Sequence, residues 1–94
     1  MNDYATYIDT KSIVANSTSQ FVNLSATGNY ILATNEGPDT AFIAFAASSA
    51  VATLASQVLL PMLPTPFSRP LGANSAAAIT DANDAATVYF STGG

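Results

Sequence analysis

Side-chain chemistry has little to work with in this chain. Histidine and cysteine are absent, which removes the usual base beside a serine or threonine nucleophile and the usual ligands of zinc and iron–sulfur centres. Neither a Gly-x-Ser-x-Gly elbow nor a glycine-rich phosphate loop occurs. Acid–base work by two carboxylates needs a pair held in a cleft. Outside the N-terminal segment and the 36–39 turn, the close pair is Asp81 with Asp84. Together with Asn83 they form an acidic loop of the kind hard cations use, but calcium collects roughly six to eight oxygens. The same three side chains suit a solvated turn in which Asp and Asn bond nearby backbone amides. The expectation is a protein that is not an enzyme and takes no metal and no cofactor.

The two basic residues, Lys11 and Arg69, stand against six acids, for a net charge of −4. Two cations cannot neutralise a run of phosphates, the main source of nucleic-acid affinity, so no nucleic acid is expected as a partner. Lys11 lies on a strand candidate, where an ammonium either guards an exposed edge or pairs with an acid of a partner. Arg69 offers a planar fork suited to carboxylates, and arginine is enriched at interfaces. The candidate partner interface is therefore Arg69 with Pro64 and Phe67 just before it, and Tyr4 and Tyr7 in the N-terminal segment, aromatics with a polar tip.

The elements that must position these residues follow from composition and pattern. At 94 residues the chain is one domain, read as an N-terminal arm over residues 1–10 and a single β domain over 11–94. Charged residues are 9% of the total, against about 25% in an ordinary soluble domain. Ala, Ser and Thr make up 39 residues, so the expected surface is neutral, hydroxyl-rich and partly apolar. A domain of this size is marginal alone. Without disulfide or zinc, association is the remaining common support, and a trimeric or dimeric homo-oligomer is expected. The start is acidic and lacks an apolar run, unlike a secretory signal.

Period-2 alternation broken by turn residues predicts short strands at residues 11–16, 21–24, 29–35, 40–45, 58–63, 76–80 and 87–91. Asn35-Glu36-Gly37-Pro38-Asp39 and Asp81-Ala82-Asn83-Asp84 are turn clusters. Each joins a strand end to an apolar strand in the same register, and both read as hairpins. Residues 48–56 fit a loop or a short helix. Pro61 belongs at an edge or bulge, and Pro64, Pro66 and Pro70 stiffen the segment around Phe67 into a ledge. The fold class is all-β: a small antiparallel β-sandwich or jelly roll of about seven to eight short strands. A competing reading comes from residues 41–60, twenty apolar-rich positions inside a 29-residue run without charge (residues 40–68). That is long enough to cross about 30 Å of hydrocarbon as a single-pass helix. Gln57, several Ser and Thr residues and the lack of basic flanks count against it, so no membrane is expected.

The order of features from residue 31 to 45, the proline-bearing strand at 58–63, and the stretch from 77 to the Gly-Gly end resembles small virion proteins of tailed bacteriophages. The resemblance spans about two thirds of the chain. It departs from the usual pattern at Pro38 and at Asn83-Asp84, where a Gly is more common. It implies a β-sandwich or jelly-roll module and a structural, non-enzymatic role, foremost as a capsid decoration or cement protein stabilising the head by binding across major capsid subunits. A tail or head-fibre piece is the alternative within the same resemblance. The implied location is the capsid surface of the virion after synthesis in the host cytoplasm, and the implied partner is the major capsid protein or another virion protein.

Overall fold

The computed structural model describes residues 7–24, 28–70 and 72–93. Among them are eight strands and no helix: β1 (Tyr7–Ala15), β2 (Gln20–Asn23), β3 (Tyr30–Pro38), β4 (Ala41–Ala46), β5 (Gln57–Leu59), β6 (Thr65–Ser68), β7 (Ser75–Ile79) and β8 (Ala86–Gly93). They form two four-stranded sheets, β1-β8-β3-β6 and β2-β7-β4-β5, with every pairing antiparallel. The pairings are nested: β1 with β8, β2 with β7, β3 with β6, β4 with β5. This is one long hairpin wrapped on itself, closed by β8 against β3 and β7 against β4, which is the jelly-roll arrangement of a double-sheet sandwich.

Six of the expected strands lie where β1 to β4, β7 and β8 form, but the one expected at residues 58–63 is strand only as far as Leu59, gives way to a turn at Pro61, which has no N–H for a ladder, and is followed by β6, a strand the pattern did not predict. The connections differ too. The two turn clusters were expected to close hairpins, yet β3 and β4 lie in different sheets, as do β7 and β8. Both turns are arches that carry the chain from one sheet to the other. Turn residues encode a reversal of direction; the plane of the returning strand is set by what the arch bonds to. At the first arch that residue is Asn35, which is fully buried. Its Nδ2 donates to the carbonyls of Asp39 (2.8 Å) and Leu59 (3.0 Å) while Oδ1 accepts the Gly37 N–H (2.7 Å). Leu59 belongs to the second sheet, so a single amide group joins the sheets and shapes the turn. Gly37 supplies the positive φ of 80° that a residue with Cβ resists.

The second arch repeats the device with a different residue. Buried Thr80 donates its hydroxyl to the Asp84 carbonyl at 2.9 Å and its N–H to the Asn16 carbonyl of the β1–β2 turn at 2.8 Å. The two arches also bond to each other, Asp39 N–H to the Ala85 carbonyl at 3.1 Å and Ala85 N–H to Asp39 Oδ2 at 2.9 Å. Their likeness in sequence thus corresponds to two turns standing side by side at one end of the sandwich.

Between the sheets, Ile13, Ile31, Val88 and Phe90 from the first meet Ile43, Leu59, Ala76 and Ala78 from the second. Phe45 stands edge-on to Phe67 (centroids 5.6 Å apart) and to Phe90 (6.0 Å), an arrangement worth roughly 0.5–1.5 kcal/mol per pair beyond burial. Residues 47–56 form a loop, the choice the sequence left open. It covers the outer face of the second sheet: Ala50 and Ala52 are buried against Ala77, beside Ala44, Ala46 and Ile79. The Ala50 N–H donates to Ser75 Oγ (3.0 Å) and the Ala52 N–H to Ser19 Oγ (2.9 Å). Much of the alanine and serine content is explained here, since only small side chains let a loop backbone lie this close to a sheet.

Residues 41–60 are therefore β4, a covering loop and β5, and the helix of the competing single-pass reading is not formed. No helix among the described residues is long and apolar enough to cross a membrane.

Candidate docking surface

Six large apolar side chains between residues 51 and 63 face solvent: Val51, Leu54, Val58, Leu60, Met62 and Leu63. Met62, at 73% exposure, and Val51, at 69%, are the extremes. Exposed apolar clusters of this kind commonly mark contact sites. Val51 and Leu54 sit on the loop that covers the second sheet. The other four run along β5 and the loop 60–64 that crosses from the second sheet to the first. This crossing loop is fixed: the Met62 N–H donates to the Asn35 carbonyl at 2.6 Å, so the buried amide that builds the arch also lies beneath the ledge. Met62 itself has φ of 63°, a left-handed conformation that a non-glycine residue adopts at a cost of order 1 kcal/mol. The most exposed large apolar side chain here is held outward on strained backbone, the combination that points to a functional position.

The strand beside the ledge is closed to sheet extension. The Arg69 N–H bonds the Asn29 carbonyl at 2.8 Å, in the register that pairs Ser68 with Tyr30. Because hydrogen-bonding residues alternate along a strand, Phe67 and Thr65 turn their amides to β3 and Pro66 turns outward, where it has no N–H to offer. Pro64 occupies the next outward position. On β5, the outer Val58 carbonyl accepts Nε2 of Gln57 at 3.1 Å. A partner on this side meets side chains, because few free strand donors remain there.

Four of the five expected interface residues fall within the described residues, at different places in the fold. Pro64 is exposed beside Leu63 on the ledge. Phe67 points its ring inward to Phe45. Arg69 braces its own loop, donating from Nε to the Ala73 carbonyl (2.7 Å) and from Nη2 to Asn74 Oδ1 (2.8 Å). Tyr7 begins β1 and pairs with Gly93, and Tyr4 lies outside the described residues. Residues 7–10 of the expected arm are part of β1. Met62, the most exposed of the six, was legible in the sequence only as part of a charge-free run.

The acidic turn is occupied with itself. Asp81 Oδ1 accepts the Ala82 N–H at 2.7 Å, the Asp81 carbonyl accepts the Asp84 N–H at 3.0 Å, and Asn83 takes a positive φ of 69°. No group of three or more acidic side chains placed to hold a metal occurs among the described residues.

The chain matches no protein-family model, no curated protein and no solved structure.

Proposed function

We propose that this chain is a structural, non-enzymatic protein of a bacteriophage virion, a decoration or cement protein that docks on the capsid surface and ties major capsid subunits together. The observation that carries the reading is the ledge: Met62 held out on left-handed backbone, flanked by exposed Leu60 and Leu63 and anchored to the buried Asn35. Preorganisation supports this use, because a loop already fixed in its contact geometry loses little entropy on binding. The residue run 40–68 carries no charge, so no ion in it must be stripped of water when a partner covers it.

Each copy would bind weakly, and many copies around a shell would act together only where a copy or its oligomer spans more than one subunit. Binding the assembled shell in preference to free subunits stabilises the shell by mass action. The test is co-sedimentation of the purified chain with capsids of the phage that encodes it. Binding that is lost with Met62→Asp, while circular dichroism stays unchanged, supports the reading. Failure of the wild-type chain to bind capsids overturns it, and density on a tail or fibre in the particle moves the role there.

A further inference from the structure

One side chain among the described residues stands apart in its reactivity toward oxidants. The chain has no cysteine and no tryptophan, and its two methionines are Met1 and Met62. Met1 lies outside the described residues. Met62 is 73% exposed, whereas methionine ordinarily serves as a filler of gaps in cores. Its exposed neighbours on the ledge, Val58, Leu60 and Leu63, are saturated hydrocarbons that peroxides leave alone. The most exposed large apolar side chain of the ledge is thus also the one that carries a thioether. Oxidation to the sulfoxide turns such a side chain from flexible and apolar to polar.

The fold can absorb that change and the ledge cannot. What anchors Met62 is its backbone, through the N–H that donates to the Asn35 carbonyl at 2.6 Å, and oxidation at sulfur leaves that bond in place. The side chain takes no part in the core between the sheets, so no packed volume is disturbed. On the ledge the effect is the reverse. A sulfoxide oxygen is an acceptor that water must solvate, and the run from residue 40 to 68 carries no charged donor to meet it. A partner that covers the oxidised ledge strips that water and leaves the oxygen unpaired, the costly way to bury a polar atom.

We propose that Met62 is an oxidation switch for the ledge: a hydroperoxide converts its thioether to the sulfoxide, and the ledge loses its apolar contact while the sandwich stays folded. This rests on the ledge being the docking surface. In the step, a sulfur lone pair attacks the terminal peroxide oxygen and the O–O bond breaks. The proton on the transferred oxygen passes to the departing one, which leaves as water or an alcohol; sulfur is oxidised and the peroxide reduced. A methionine sulfoxide reductase with a thiol as reductant reverses the change, and the oxygen leaves as water. A partner seated on the ledge covers the sulfur, so the switch acts on chains that have not docked.

Hydrogen peroxide applied to the purified full chain, with mass spectrometry of the peptide that holds Met62, tests this without any capsid. The sulfoxide should form at the rate of methionine in a short unfolded peptide. The circular dichroism spectrum and the urea midpoint should stay unchanged, and retention on a phenyl column should fall to that of Met62→Gln. Sulfoxide reductase should restore the retention, and Met62→Leu should keep its own through peroxide treatment. In co-sedimentation with capsids the oxidised chain should bind at least about tenfold more weakly, while Met62→Leu binds equally with and without peroxide. A Met62 that resists peroxide, an oxidised chain that unfolds, or one that keeps its retention overturns the proposal. So does an oxidised chain that binds capsids as tightly as the reduced one. An untreated chain that binds no capsid overturns the virion reading alone, because oxidation rate, folding and retention decide the switch without capsids.

Discussion

Asn35 is the residue on which most of the molecule turns. Its side chain bonds both sheets and its carbonyl holds Met62. Asn35→Ala would leave the Leu59 and Asp39 carbonyls and the Gly37 N–H without this partner, at about 1–3 kcal/mol for each group that stays buried and unsatisfied. A loss of roughly 3 kcal/mol or more in urea unfolding is the expected outcome; a loss below about 1 kcal/mol would mean that water replaces the amide. Met62 calls for the opposite result. Glycine accepts a φ of 63° without strain but carries its own entropic cost of roughly 0.5–1 kcal/mol. Met62→Gly should therefore leave the unfolding midpoint nearly unchanged while removing the side chain proposed to dock, so that under the proposal stability and capsid binding separate in one variant.

At the scale of elements, alternation located six of the eight strands, since inner positions such as Ile31, Ala33, Val88 and Phe90 recur at every second residue, while the proline-rich stretch that holds β5 and β6 has no such pattern. It could not say which sheet a strand joins, because the pattern is the same for a hairpin and an arch. The difference lies in long-range bonds such as that from Asn35 to Leu59, 24 residues away. The third layer was illegible for a related reason. Ala77 is fully buried on the outer face of its sheet, and a strand buried on both faces loses its alternation. That layer carries its own expectation: Ala77→Leu inserts volume where the loop over residues 47–56 presses on the sheet, and should cost about 1–3 kcal/mol in thermal or urea unfolding. An unchanged stability would mean the loop lifts away freely. At the candidate site, the uncharged run and its prolines were readable, and Pro64 is indeed exposed. The exposure of Met62 depends on a crossing loop that exists only once both sheets are assembled.

For the whole molecule, the scarcity of charge has two origins. Part of it is internal, because a 94-residue chain built in three layers spends many of its small neutral residues on close packing. The remainder is on the surface, where the exposed apolar side chains between residues 51 and 63 lie on a stretch without charge. The most direct measurement is a cryo-electron microscopy map of the virion that carries the chain. The account expects eight-stranded sandwiches on the outside of the capsid at joints between major capsid subunits, with the loop around Met62 against the shell. Density for the chain with that loop facing solvent, or no such density on the particle, would contradict it.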